Sequence, residues 1–315
     1  MTARDKAGDD PAFMDQFRSI AGQGRALADV PAAEVTAALQ QSPALLLRGF
    51  DVTTDAFRSL GKSLGVAFIN QSLGATRASG DGVIGEVTYG HFSLPVHMER
   101  GYSPVKPDIC MFYCIRTAPS GDGATTMADA ASLYSRLPAE LGQLFKSKKI
   151  VYRHVLDRDS WQARYGERQA AERMLAAHPD IPFYKFDGDS LSYHYESSAV
   201  LRVGTGDCFI NSVRIIWGAM HAPAGIRRGT KFSEVCFADG TPITRAMIEA
   251  IEHAEESVKI RCLMQPGDVI VLDNYRMLHG RDAFCDRNRH IVTIFPIVSG
   301  SVNHRLAGAL QPAIS

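Results

Sequence analysis

Apolar residues along this chain fall into two rhythms. Near the beginning, Phe13, Met14, Phe17 and Ile20 recur at helical spacing and predict a helix over residues 11–23. A second helix is predicted from Pro31 through the run AAEVTAALQ, and a third has Phe57, Leu60 and Leu64 on one face, capped by Thr53 or Thr54. Between these two, residues 44–47 form an unbroken apolar run of strand length. Further on, strands are predicted over 108–116, 150–152, 190–195, 208–210, 232–237, 258–264, 269–272 and 291–294, each a short apolar or aromatic run. Helices are expected up to Leu137, from Pro138, over 160–177 and over 244–255. The 160–177 helix is strongly charged, and its charges read as a solvated face.

No internal repeat is present, and many short strands punctuated by Gly and Pro do not alternate with helices as βα units would. The predicted fold is mainly β with peripheral helices around a double-stranded β-helix (jelly-roll) core. Residues 1–10 read as a disordered tail and 11–315 as a single jelly-roll domain, with lid-like insertions near 65–95 and 196–230. The first insertion is rich in glycine (Gly74, Gly80, Gly82, Gly85, Gly90) and runs up to His97, so it is expected to cover a site there; a mobile insertion without a role is the alternative.

Composition narrows the partners. With 34 Lys plus Arg against 34 Asp plus Glu, no global field draws the protein to nucleic acid or an anionic membrane, and a small-molecule substrate is favoured. The N-terminus lacks an apolar signal region and no apolar run approaches the roughly 20 residues of a membrane span, so a cytoplasmic location is expected. The six cysteines form no CxxC pair and read as free buried thiols.

Candidate chemistry begins with His97-Met98-Glu99. In an extended segment, residues two apart share a face, so an imidazole and a carboxylate can reach one metal ion. His279, at a strand end far along the chain, would supply a third ligand. Two histidines and one carboxylate leave coordination positions open for cosubstrate and O2, the pattern of non-haem Fe(II) oxygenases. Taken alone, the HxE pair more often marks a surface hydrogen bond.

Four separated stretches change that reading. Val96 to Tyr102 (VHMERGY), Ser120 to Asp129 (SGDGATTMAD), Gly206 to Asn211 (GDCFIN) and Pro266 to Ile291, with its GD, DN, HGR and RH words, occur in the order found in the TauD/TfdA family of Fe(II)/2-oxoglutarate dioxygenases, which the chain resembles from about 40 to 298. The resemblance implies that His97, Glu99 and His279 are the iron ligands. It implies that Arg289 pairs with the distal carboxylate of 2-oxoglutarate and that Thr125, four before Asp129, hydrogen-bonds the same group. A planar guanidinium suits that role because it grips a carboxylate through two parallel bonds. The His279-to-Arg289 spacing of ten residues is shorter than is common in the family, which leaves Arg287 as the alternate clamp. Related halogenases carry Gly or Ala where Glu99 stands, so halogenation is disfavoured.

Tyr102 and Asn211 are candidates for the substrate pocket as well as for core packing, and Arg214 and Trp217 are pocket candidates without a motif. Arg281 is expected in a structural salt bridge with Asp282 or Asp273, and Asn274 and Asp268 as hydrogen-bonders at turns. The 237–243 word FADGTPI resembles one in family members acting on amino acids in specialised metabolism. The expected activity is hydroxylation of an unactivated C–H bond in a small amino-acid-like substrate, free or carrier-protein-bound, with release of succinate and CO2. A sulfonate or aryloxyacetate dioxygenase, a desaturase, epoxidase or cyclase on the same scaffold, and a jelly-roll metal-binding or sensing protein without turnover are the alternatives. A homo-oligomer is left open.

Overall fold

A computed structural model describes residues 18–69, 81–87, 91–118, 121–221, 230–286 and 288–301. Its larger sheet takes the strands Arg18–Ala21, Ala44–Arg48, Val269–Asp273, Ile109–Arg116, His290–Ile294 and Gly85–Glu86 in that spatial order. The first pair is parallel and the others are antiparallel. A second sheet runs Ile260–Cys262, Thr125–Asp129, Met277–Arg281 and Leu94–His97, antiparallel throughout.

Alternation along the strands explains why the apolar runs are continuous. Leu46, Cys110, Phe112, Ile270 and Leu272 pack toward Met127, Ile260, Cys262 and Met277 of the second sheet. Their neighbours Leu45, Leu47, Met111, Tyr113, Val269 and Val271 point the other way, onto Val35, Leu39, Phe57 and Leu60 of the helices Ala32–Gln41 and Thr54–Leu64. With both faces covered, no polar alternation survives. The sandwich of two sheets is the jelly-roll core. Arg48 closes its lower edge through a two-pronged ion pair with Asp268, at 2.9 and 2.6 Å, where the Val269–Asp273 strand begins.

A third sheet, ordered Thr230–Phe237, Lys149–Leu156, Ser190–Ser198 and Phe183–Asp187, packs with six helices into a further cluster built on Phe145, Tyr152, Trp161, Leu175, Tyr193 and Phe237, which joins the sandwich through Val96, Ala128 and Leu278 of the second sheet.

Several expectations change. Ile20 lies not in a helix but in the Arg18–Ala21 strand, because the main chain there pairs with Leu45–Arg48; residues 11–17 lie outside the described residues. The 160–177 helix is two, Arg158–Tyr165 and Arg168–Ala177, separated by Gly166 at φ +74°, a left-handed stop open to glycine. Residues 213–221 form a helix that the apolar pattern did not announce. Within 65–95, Ala67–Phe68 pairs with Pro296–Ile297 and Gly85–Glu86 extends the larger sheet, while 70–80 and 88–90 lie outside the described residues, as do 222–229 of the second insertion and the 1–10 tail. All six cysteines are free, but Cys236 is half-buried and Cys285 exposed. Among the described residues no helix is long and apolar enough to cross a membrane.

Candidate metal centre and its flanking pockets

The Leu94–His97 and Met277–Arg281 strands pair so that His97 lies directly opposite His279, and their rings are 4.6 Å apart between centroids. This approach depends on Gly280. A Cβ there would stand 2.5 Å from the Leu94 carbonyl oxygen and 2.8 Å from Thr126 Oγ1, so only glycine lets the two strands close. Just beyond the strand end, Glu99 turns its carboxylate back, with Oε2 3.4 Å from His279 Nε2 and 3.9 Å from His97 Nε2. The ligand atoms of the three residues all lie within 4.8 Å of one another.

Surrounding groups fix each side chain. His97 Nδ1 donates to the Pro95 carbonyl at 2.9 Å, which directs the Nε2 lone pair inward. Burial, and then the neighbouring His279, push its pKa down to about 4, so the ring is neutral and able to ligate at pH 7. His279 is held by packing against Phe112, 5.0 Å away, while its buried Nδ1 has no hydrogen-bond partner among the described residues. Burial raises the Glu99 carboxyl, but the His279 hydrogen bond and the nearby His279, His97 and Arg100 outweigh it and hold the group below its ordinary value. Two imidazoles and one carboxylate fit a divalent first-row cation of the facial-triad kind.

The Glu99 main chain is anchored from three sides. Asn274, fully buried, accepts from Glu99 N–H and donates to Glu99 O, and Ser212 Oγ donates to Met98 O at 2.7 Å. The Asn211 carbonyl accepts from Met98 N–H at 2.9 Å. This is the use made of the GDCFIN stretch. Of the two readings of Asn211, its hydrogen bonds are those of a packing residue: its amide donates to Ala199 O and accepts from Val213 N–H at the start of the Val213–His221 helix. Arg214 likewise faces away, its guanidinium taken by Glu252 and Glu255 of the Arg245–Val258 helix, and Trp217 donates to Ile243 O. Two charges opposite Arg214 leave it little reason to turn toward the triad.

Beside the triad, Arg289 and Thr125 share a cavity of about 230 Å³ with Cys114, Met264 and Ile291. Arg289 Nε donates to Gly123 O at 3.0 Å, and its buried NH1 has no partner among the described residues. Thr125 Oγ1 meets only the soft Met264 sulfur, at 3.5 Å. Arg287 lies outside the described residues. Arg281 stands directly opposite Thr125, donates to Phe92 O at 3.0 Å and packs on the Phe284 ring at 4.7 Å, a ring from which Arg289 is 5.3 Å away. Asp282, its expected partner, is engaged by Arg261, and Asp273 accepts from Tyr275 N–H. Burial and then the Arg289 charge push Arg281 down to about 10. Its place beside Thr125 and Arg289 was not read from the sequence, although its HGR word was in view.

Tyr102 lies on the other flank, its ring 5.8 Å from the Arg164 guanidinium and 5.9 Å from His154. Arg164 itself carries no sequence signal; it was one charge among many in a charged helix.

Comparison with known proteins gives the family and the fold. The dapdiamide synthesis protein DdaC of Enterobacter agglomerans is 23% identical over 267 residues, covering 78% of this chain and 80% of DdaC. A taurine dioxygenase from Burkholderia xenovorans has a similar fold, with a TM-score of 0.56 at 15% identity over 94% of this chain and 96% of that one. An asparagine oxygenase in complex with Fe(II), 2S,3S-3-hydroxyasparagine and succinate has a TM-score of 0.50 at 15% identity, over 84% and 77%. The model of the taurine catabolism dioxygenase TauD, TfdA family matches residues 17–295, and the chain belongs to that family of Fe(II)/2-oxoglutarate-dependent dioxygenases.

Proposed function

We propose that the protein hydroxylates an unactivated C–H bond of a small amino-acid-like substrate, consuming 2-oxoglutarate and O2 and releasing succinate and CO2. The observation that carries this reading is the convergence of His97, Glu99 and His279 beside a pocket holding Arg289 and Thr125. Bound by the three ligands, Fe(II) would supply the redox chemistry that couples oxidative decarboxylation of 2-oxoglutarate to oxygen insertion.

The chain's own residues do the rest. His97 offers a neutral ring nitrogen and His279 a second ring nitrogen, and Glu99 supplies the negative charge that a divalent ion requires. Arg289 turns its unsatisfied NH1 to the distal carboxylate of 2-oxoglutarate, and the Thr125 hydroxyl donates to the same group. Phe112, Met127 and Phe295 keep water from the inner side. A charge clamp has no purpose in a protein that only holds metal, which disfavours the sensing alternative. Support for an amino-acid-like substrate comes from the likeness to DdaC and to asparagine oxygenase. The FADGTPI word supports it less, because it forms a surface turn with Asp239 bound by Lys148.

Anaerobic addition of Fe(II) and 2-oxoglutarate should produce a weak visible charge-transfer band. Arg289→Ala should raise the 2-oxoglutarate concentration needed for it, and His279→Ala should abolish succinate release. An absent band in the unmodified protein would sink the assignment.

A further inference from the structure

A second cavity, of about 420 Å³, is lined by Arg100, the residue that follows Glu99. Its walls are apolar at Phe68, Ile69, Val83, Val105 and Ile297, and two guanidinium groups, Arg100 and Arg164, line it. Arg100 directly follows Glu99 in the chain and takes φ +54°, a left-handed conformation that few side chains other than glycine adopt. That kink lets Glu99 point to the triad and the next side chain line the cavity. The charge of Arg100 acts on both Glu99 and Arg164, so it stands between the metal centre and the deeper arginine.

Arg164 is the unusual group. Its NH1 is buried without a hydrogen-bond partner, and among the described residues no carboxylate pairs with it. What surrounds it is aromatic: the Tyr102 ring, and Tyr193, whose hydroxyl contacts it and receives the Tyr165 hydroxyl at 2.8 Å. His154, beneath Tyr102 and Tyr193, donates from Nε2 to Tyr102 O and accepts at Nδ1 from Ser233, so it is neutral and offers no countercharge. The acid in the cavity wall, Asp81, faces Arg58 and Lys62 at 3.6 and 3.4 Å. Arg164 is half-buried, and a guanidinium nitrogen shut off from water with no partner among the described residues suits a ligand that supplies the missing acceptor.

We infer that this cavity is the prime-substrate pocket and that Arg164, assisted by Arg100, binds an oxyanion head group, carboxylate or sulfonate, on the substrate. The inference rests on the reading of His97, Glu99 and His279 as the iron ligands and of Arg289 as the cosubstrate clamp, which leaves Arg164 free for a second anion. A substrate held by its anionic end at Arg164 extends past Arg100 toward the triad, with the carbon chain against Val105 and Ile69.

The test uses the full chain loaded anaerobically with Fe(II) and excess 2-oxoglutarate, so that the Arg289 pocket is filled. Chloride is replaced by acetate or by methanesulfonate at equal ionic strength, and the thermal midpoint is followed. The unmodified protein should gain about 3 °C or more, and Arg164→Met should lose that gain. Arg164→Lys, which keeps the charge without the planar fork, should retain a smaller one. A larger response to acetate assigns a carboxylate substrate, and a larger response to methanesulfonate a sulfonate. Equal gains in the unmodified protein and both variants, or no gain in any, would overturn the inference. The charge-transfer band separates the two claims. A band that forms normally in Arg164→Met shows the triad and clamp intact, whereas an anion response without any band leaves the pocket standing and removes the dioxygenase reading.

Discussion

Asn274 holds the backbone of Glu99 on both sides, its Oδ1 accepting from Glu99 N–H at 2.9 Å and its Nδ2 donating to Glu99 O at 3.1 Å and to Pro107 O at 2.9 Å. Glu99 lies past the end of its strand, so no ladder fixes it, and this one amide does the work of a ladder. Asn274→Ala leaves a buried N–H and two carbonyls short of partners. The expected loss is about 3 kcal/mol of stability in urea unfolding, accompanied by at least about tenfold weaker Fe(II) binding. Lost stability with unchanged Fe(II) affinity would confine Asn274 to a role in the fold.

Gly280→Ala should force apart the two strands that carry His97 and His279, since the new methyl would meet main-chain atoms that cannot swing aside. Fe(II) titration is expected to show a clear loss of affinity, with about 1–3 kcal/mol lost in stability. Gly218→Ala is the control: this helical glycine has open space around it, and the substitution should stabilise by roughly 0.5–1 kcal/mol without touching the metal. Equal metal affinity in both variants would show that strand spacing does not set the triad.

Acid should expose His154, which is 2% exposed and whose pKa is pushed down to about 3 by burial first and by the Arg164 charge second. In the unfolded chain the same ring titrates near its ordinary 6.5. Below pH 6.5 the unfolded state therefore takes up a proton that the folded state refuses, and stability falls as pH drops toward about 3. The contribution is about 1.4 kcal/mol per pH unit within that window. Urea midpoints of metal-free protein from pH 7.5 to 4.5 should fall more steeply for the unmodified chain than for His154→Gln. Parallel curves would mean that His154 titrates alike in the folded and unfolded states.

The jelly roll and the triad were legible because both leave short-range marks. Apolar runs such as Val269–Asp273 show as strands whether one face is buried or two, and His97 to Glu99 and the HGR word keep their spacing in the chain. The partners of Asn211 and Arg214 were not legible for a related reason: one ends the GDCFIN stretch and the other follows it, but proximity in sequence says nothing of which way a side chain turns, and the structure pairs them with backbone groups and with Glu252. Arg164 was hidden more completely. Helical charges usually face water, and only the tertiary packing of Tyr102 and Tyr193 around this one reverses the rule.

Gly123 offers a test of the cosubstrate clamp that spares the metal. Its carbonyl accepts from Arg289 Nε at 3.0 Å, and a Cβ on it would stand 3.1 Å from Arg289 Cδ and 2.8 Å from Phe284 Cβ. The residue is also at φ +72°, so alanine adds a backbone strain of about 1–2 kcal/mol. Gly121 separates the two effects, because it takes φ +71° with nothing near its missing Cβ. Gly123→Ala should therefore shift the Arg289 guanidinium and raise the KM for 2-oxoglutarate about tenfold or more, since a displaced bidentate pair loses roughly 1.4 kcal/mol per decade. At saturating cosubstrate kcat should stay close to that of the unmodified protein, and Fe(II) affinity measured without 2-oxoglutarate should not change, because His97, Glu99 and His279 hang from other strands. Gly121→Ala should share the loss of stability but not the change in KM. If both variants kept the original KM, Arg289 would not be the group that holds the distal carboxylate.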